Sequence, residues 1–171
     1  QAHTLVHLIR RPLVETARPP LLLLLHGVGS NERDLFGLAS SLDARFLILS
    51  LRAPYVLGPE SYAWFQVTFT PEGPSINPAQ AEASRTTLIA FLQEAVTTYN
   101  ADPQQVYLMG FSQGAIMSAS VALTRPDLVA GVVLMSGRIL PEIQPLLAPS
   151  EKLQGLPFLV VHGTADRVLP L

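Results

Sequence analysis

The sequence contains no cysteine. Disulfides, thiolate nucleophiles and cysteine-held metals are excluded at once. Charge is scarce as well: 14% of the 171 residues are charged, 11 basic against 13 acidic, for a formal net charge of −2. An average protein carries about 25% charged residues. The basic residues form no cluster, so neither nucleic acid nor an anionic membrane is expected as a partner. Long hydrophobic runs are also missing. The longest, Leu21–Leu25, falls far short of the roughly 20 residues that cross a bilayer. No basic stretch leads into an apolar one near the start, so the expectation is a cytoplasmic protein without a secretory signal.

What is present is apolar. Hydrophobic residues make up 49% of the chain, enough to bury a substantial core, and the length fits a single domain over residues 1–171. Proline is frequent, with 15 residues, and it falls between apolar runs, which implies many short elements joined by rigid loops. Apolar runs at Thr4–Ile9, Leu21–Leu25, Phe46–Leu51, Val106–Met109, Val129–Met135 and Pro157–Val161 read as strands. Segments at Glu32–Leu42, Pro78–Tyr99 and Gln113–Thr124 read as helices, and Pro141–Leu153 as a weak one broken by prolines. This alternation predicts an α/β fold with a mostly parallel central sheet and helices on both faces. Thr4–Ile9, with His3 and His7 on alternate positions, suits an edge strand. Residues 52–75 carry no strong period and read as a long loop with a short strand at Ala63–Val67. The aromatics Tyr62, Trp64 and Phe65 there are candidate pocket walls.

Three segments carry chemistry. Gly110-Phe111-Ser112-Gln113-Gly114 is a G-x-S-x-G pattern between an apolar strand and a helix. Such a turn strains the serine, exposes its hydroxyl and sets a helix N-terminus beneath it. The following N–H, that of Gln113, is placed to donate to an oxyanion. His26-Gly27-Val28-Gly29 follows a second strand, and the Val28 N–H is the candidate second donor. His162-Gly163-Thr164-Ala165-Asp166 follows a third, where an acid can orient a catalytic histidine. The order Ser112 then Asp166 is that of the α/β-hydrolases. No phosphate-binding glycine motif is present.

These segments, with Arg52-Ala53-Pro54, Ala63-Trp64-Phe65 and the run before Gly137, span Leu21–Pro170. Together they resemble the bacterial carboxylesterase/phospholipase family of α/β-hydrolases, to which the acyl-protein thioesterases also belong. The resemblance implies Ser112 as nucleophile, Asp166 as triad acid, and Val28 and Gln113 as oxyanion donors. It sets Trp64 and its loop beside the substrate pocket, and it implies no metal or organic cofactor. The expected reaction is hydrolysis of a small ester through an acyl-enzyme, with short to medium acyl chains preferred over charged substrates. Lysophospholipase and thioester hydrolysis are alternatives.

One part of the pattern is missing. The family's catalytic histidine lies about thirty residues after the acid, and the histidines in this sequence are His3, His7, His26 and His162. His26 and His162, with Gly27, are expected to hold the turns around the site rather than to act as base. The expectation is therefore a C-terminally incomplete domain, lacking a helix, a strand, the histidine loop and a last helix. As a separate chain it is expected to be inactive, and a non-catalytic hydrolase-like protein is the competing reading. Phe158–Val161 would then be a bare apolar edge strand, which leaves room for a homodimer.

Overall fold

The computed structural model describes residues 5–167 and 169. Its centre is a six-stranded sheet of β1 (His7–Arg10), β3 (Leu47–Leu51), β2 (Leu21–Leu25), β8 (Val106–Phe111), β9 (Gly131–Met135) and β10 (Phe158–Val161), in that spatial order. β1 runs antiparallel at one edge and the other five strands are parallel. The first expected strand thus exists as an edge strand displaced toward Arg10, and its positions His3 and Thr4 lie outside the described residues.

β2 and β3 are buried along their whole length, as strands between two layers should be. Alternate residues divide the core. Leu21, Leu23 and Leu25 face the layer made by α1 (Pro78–Thr98) and α2 (Gln113–Thr124), while Leu22 and Leu24 face Leu35 and Ala39. The second layer is therefore a 3-10 segment, Leu35–Ser41, where the sequence suggested a helix over Glu32–Leu42. The expected weak helix within Pro141–Leu153 resolves into a 3-10 segment, Pro141–Leu146, and the short α3 (Ser150–Leu153). Pro145 and Pro149 cannot donate to a continuing helical ladder.

The helices form for readable reasons. Asn77 caps α1 by accepting the Gln80 N–H at 3.1 Å, and Pro78 sits where its missing N–H costs nothing. α2 is buried almost throughout, polar residues included. Ser118, Ser120 and Thr124 each donate to the carbonyl four residues back, so no hydroxyl is stranded in the core.

Residues 52–75 depart most from expectation. They form two hairpins rather than a loop with one strand: β4 (Tyr55–Gly58) with β5 (Ser61–Ala63), and β6 (Val67–Thr70) with β7 (Gly73–Ile76). At the far edge, β10 exposes Leu159, Val160 and Val161 at 59%, 61% and 52%. No helix among the described residues is long and apolar enough to cross a membrane.

Candidate active site

Ser112 stands at the turn from β8 into α2 with φ 53° and ψ −116°, a conformation that L residues rarely adopt. Two glycines make the turn possible. A Cβ at Gly110 would overlap the Gly114 carbonyl, and a Cβ at Gly114 would overlap the carbonyl of Leu25, because α2 starts hard against the end of β2. The Ser112 N–H is held by the Met135 carbonyl at 2.9 Å, so β9 fixes the turn from its other side. The side chain is left half-buried at the C-terminal rim of the sheet.

The turn after β2 approaches the same point. A Cβ on Gly27 would stand 3.3 Å from the Ser112 Cβ. Among the described residues no carbonyl accepts the N–H of Val28 or of Gln113. Both residues, one on the turn after β2 and one on the first turn of α2, line the same cavity as Ser112.

The Val28 loop is braced from outside. Gly29 donates to the Tyr62 carbonyl at 2.8 Å, and Tyr62 donates to the Ser30 carbonyl at 2.9 Å. The Arg52 guanidinium lies 4.6 Å above the Tyr62 ring and binds both oxygens of Glu32, at 2.9 and 2.7 Å. Glu32 is only 4% exposed. The bidentate Arg52 contact pulls its carboxyl from an ordinary 4.5 to about 2. The Ser50 hydroxyl donates to the Glu32 carbonyl at 2.6 Å, tying the loop to β3.

His26 is the second brace. Its Nδ1–H donates to the Gly27 carbonyl at 2.7 Å, and its Nε2 accepts the Ala53 N–H at 3.0 Å. That pair of bonds requires the neutral ring, and burial accordingly holds its pKa below the usual value. Both nitrogens are committed, so His26 organises the turn and has no nitrogen to offer Ser112. Trp64 donates from Nε1 to the His26 carbonyl at 2.9 Å and is 0% exposed.

These two groups predict acid sensitivity. Folded Glu32 has a depressed pKa, so its contribution is complete above pH 4.5 and is lost as pH falls toward 2. Folded His26 resists the proton that an unfolded histidine accepts below about pH 6.5, so stability declines there too. Urea midpoints are expected to fall from pH 7 to pH 5.5 and again from pH 4.5 to pH 3. In Glu32→Gln the second fall should shrink; an unchanged second fall would remove Glu32 from the account.

The sequence missed the role of the Gln113 side chain. Its Oε1 accepts the Trp64 N–H at 2.6 Å and its Nε2 donates to the Phe65 carbonyl at 2.7 Å, entirely within the core. The residue after the nucleophile thus clamps the segment between the two hairpins. The Ser84 hydroxyl supports the clamp by donating to the Trp64 carbonyl at 2.5 Å. A glutamine behind a G-x-S pattern was the only available signal, and nothing in it named Trp64 as partner.

The turn that carries Asp166 follows β10, beyond β9. Ser136 donates to the Val161 carbonyl at 2.8 Å, which aligns the rims of β9 and β10. The Asp166 Oδ1 accepts the Leu169 N–H at 2.9 Å, and its Oδ2 lies 3.7 Å from His162 Nε2. His162 Nε2 also meets the Leu169 carbonyl. His7 bonds the Leu5 carbonyl and the Tyr99 hydroxyl, beside the opposite edge of the sheet. His3 lies outside the described residues.

An open cavity of about 760 Å³ lies at Ser112, and neither Asp166 nor any described histidine is among its lining residues. Val28, Ser112 and Gln113 line it, with Phe65, Val67, Phe69, Ile76 and Ile116 as apolar wall and Arg138 and Arg167 as the only charged lining among the described residues. Of the three aromatics expected at the pocket, Phe65 lines it. Trp64 lies in the core behind it, and Tyr62 lies under Arg52. No group of three or more histidines and carboxylates that could hold a metal occurs among the described residues.

Comparison with known proteins bears on the family and the fold. The family model described as Phospholipase/Carboxylesterase matches residues 14–171. A putative esterase, NocK, of Nocardia uniformis subsp. tsuyamanensis is 30% identical over 157 residues, covering 88% of this chain and 41% of that protein. The chain thus spans less than half the length of that relative. Among solved structures, esterase PE8 is 28% identical with a TM-score of 0.82, covering 98% of this chain and 78% of its own. The Bacillus cereus carboxylesterase is also 28% identical, with a TM-score of 0.79 and coverage of 97% and 74%.

Proposed function

Because this chain belongs to the phospholipase/carboxylesterase family, we propose that it carries the nucleophilic half of a serine ester hydrolase acting on short to medium acyl esters. The observation that carries this reading is Ser112 itself: a strained serine at a strand–helix turn, facing a cavity that Val28 and Gln113 also line. In the proposed reaction the Ser112 oxygen attacks the ester carbonyl and gives its proton to a histidine. The Val28 and Gln113 N–H groups receive the negative charge that develops on the carbonyl oxygen. The histidine returns the proton to the departing alcohol, and water then releases the acyl group from Ser112 by the reverse sequence.

Asp166 orients that histidine. None of the described histidines suits the part: His26 has both nitrogens occupied, His162 contacts Leu169, and His7 sits beside Tyr99. The base is therefore proposed to come from outside the described residues. Without one, turnover is expected to drop by about 10⁶-fold, the scale seen when subtilisin loses its histidine.

The apolar wall supports an acyl chain of modest length. The test is a series of p-nitrophenyl esters offered to the full-length protein. Butyrate and octanoate are expected to give the highest kcat/KM, and palmitate the lowest. Failure to hydrolyse any of them would favour the competing reading, a hydrolase-like protein that binds without turning over.

A further inference from the structure

The cavity beside Ser112 has a cationic side that an ordinary acyl pocket does not need. Five arginines are paired with carboxylates, and Arg10 and Arg18 donate to backbone carbonyls. Among the described residues only Arg11, Arg138 and Arg167 are left without such a partner, and two of those three line the Ser112 cavity.

Their placement follows from the sheet. Arg138 follows β9, the strand beside β8 and its serine, and Arg167 follows β10, the strand beyond β9. The apolar wall, Phe65, Val67, Phe69 and Ile76, comes from the hairpin segments instead. Among the described residues no aspartate or glutamate lines the cavity to neutralise the two guanidinium groups. A protein of net charge −2 that pairs five of its ten arginines with carboxylates has set two unpaired ones at one concave site. Guanidinium groups bind carboxylates and phosphates through two parallel hydrogen bonds, more strongly than neutral pairs.

We propose that the Ser112 cavity recognises esters that carry an anionic group, carboxylate or phosphate, held by Arg138 and Arg167 while the apolar part lies against Phe65 and the hairpin. This deepens the ester-hydrolase reading and rests on it. It also revises the expectation from sequence that uncharged esters are preferred.

Binding separates the proposal from catalysis. Calorimetry on the full-length Ser112→Ala protein would use two matched pairs. Monoethyl adipate against ethyl hexanoate places a carboxylate at the acyl end. 1-Hexanoylglycerol 3-phosphate against 1-hexanoylglycerol places a phosphate at the alcohol end. At least one anionic member is expected to bind about 10-fold or more tightly than its neutral partner, the scale of a charge-assisted hydrogen bond. Which pair responds identifies the group and the end of the substrate. In Arg138→Ala/Arg167→Ala that ratio should fall toward one, while Arg11→Ala keeps it. Both side chains are exposed, so the double variant should fold, and its Tm checks this. Equal or undetectable binding within both pairs, or a preference that survives the double substitution, overturns the proposal. Turnover by the protein with Ser112 intact is scored apart: a preserved binding ratio without hydrolysis would refute the esterase reading and leave the anion site standing.

Discussion

Replacing Ser112 with alanine is expected to lower ester turnover by the full-length protein about 10⁶-fold, the loss found when a serine hydrolase is deprived of its nucleophile. The size follows from the division of labour at the site. In the proposed mechanism Val28 and Gln113, which line the cavity with Ser112, can still polarise a carbonyl, and the apolar wall can still hold an acyl chain. Neither can form the covalent intermediate that splits the reaction into two easier steps. Substrate affinity should change little, because the hydroxyl is small and sits at the edge of the cavity. The loss should therefore appear in kcat with KM nearly constant. Release of p-nitrophenol under saturating ester measures it. A loss below about 100-fold would mean that another group, or water directed by the oxyanion donors, performs the attack.

Gly114→Val is expected to destabilise the fold by at least about 3 kcal/mol, the upper end of ordinary overpacking. The reason is what the new side chain meets. A Cβ at this position overlaps the Leu25 carbonyl, with the His26 carbonyl close behind. Both are backbone atoms of the turn after β2, so no rotamer change relieves the contact. α2 must back away from β2, which moves Ser112 relative to Val28. For a domain of this length that cost corresponds to a fall in Tm of about 6–12 °C, together with loss of activity. Gly37→Ala is the control: its Cβ meets nothing within 4 Å, so Tm should move by no more than a degree or two. Thermal unfolding followed by circular dichroism compares the two. A Gly114→Val protein as stable as the parent would show that α2 does not need its close approach to the sheet.

The gap between sequence and structure has a physical pattern. The strand–turn–helix at Val106–Thr124 was legible because three signals coincide there: an apolar strand, two glycines around a serine, and a helix of small residues. β2, β3 and β9 were legible because strands buried on both faces read as continuous apolar runs. The hairpins at Tyr55–Gly58 with Ser61–Ala63 and at Val67–Thr70 with Gly73–Ile76 were not. Their strands are three or four residues long and mostly exposed, too short for alternation to register. Glu32–Leu42 has helical spacing, but the chain forms only the tighter Leu35–Ser41 segment against Leu22 and Leu24.

At the site, residue types gave no hint of the supporting contacts. Ser112, Val28 and Gln113 all line one cavity. The side-chain clamp from Gln113 to Trp64 and Phe65 joins residues nearly fifty positions apart, and the Glu32–Arg52 pair joins a loop to a strand end. Pairings at that distance leave no local pattern. Arg138 and Arg167 were silent for the same reason: each is an ordinary exposed arginine until β9 and β10 set them beside one serine.

The most direct test of the central claim is covalent. The full-length protein is treated with a fluorophosphonate, digested, and the modified peptide sequenced by mass spectrometry. The account predicts one adduct, on Ser112, absent after Ser112→Ala. An adduct on any other residue, or no adduct on the folded full-length protein, would contradict it.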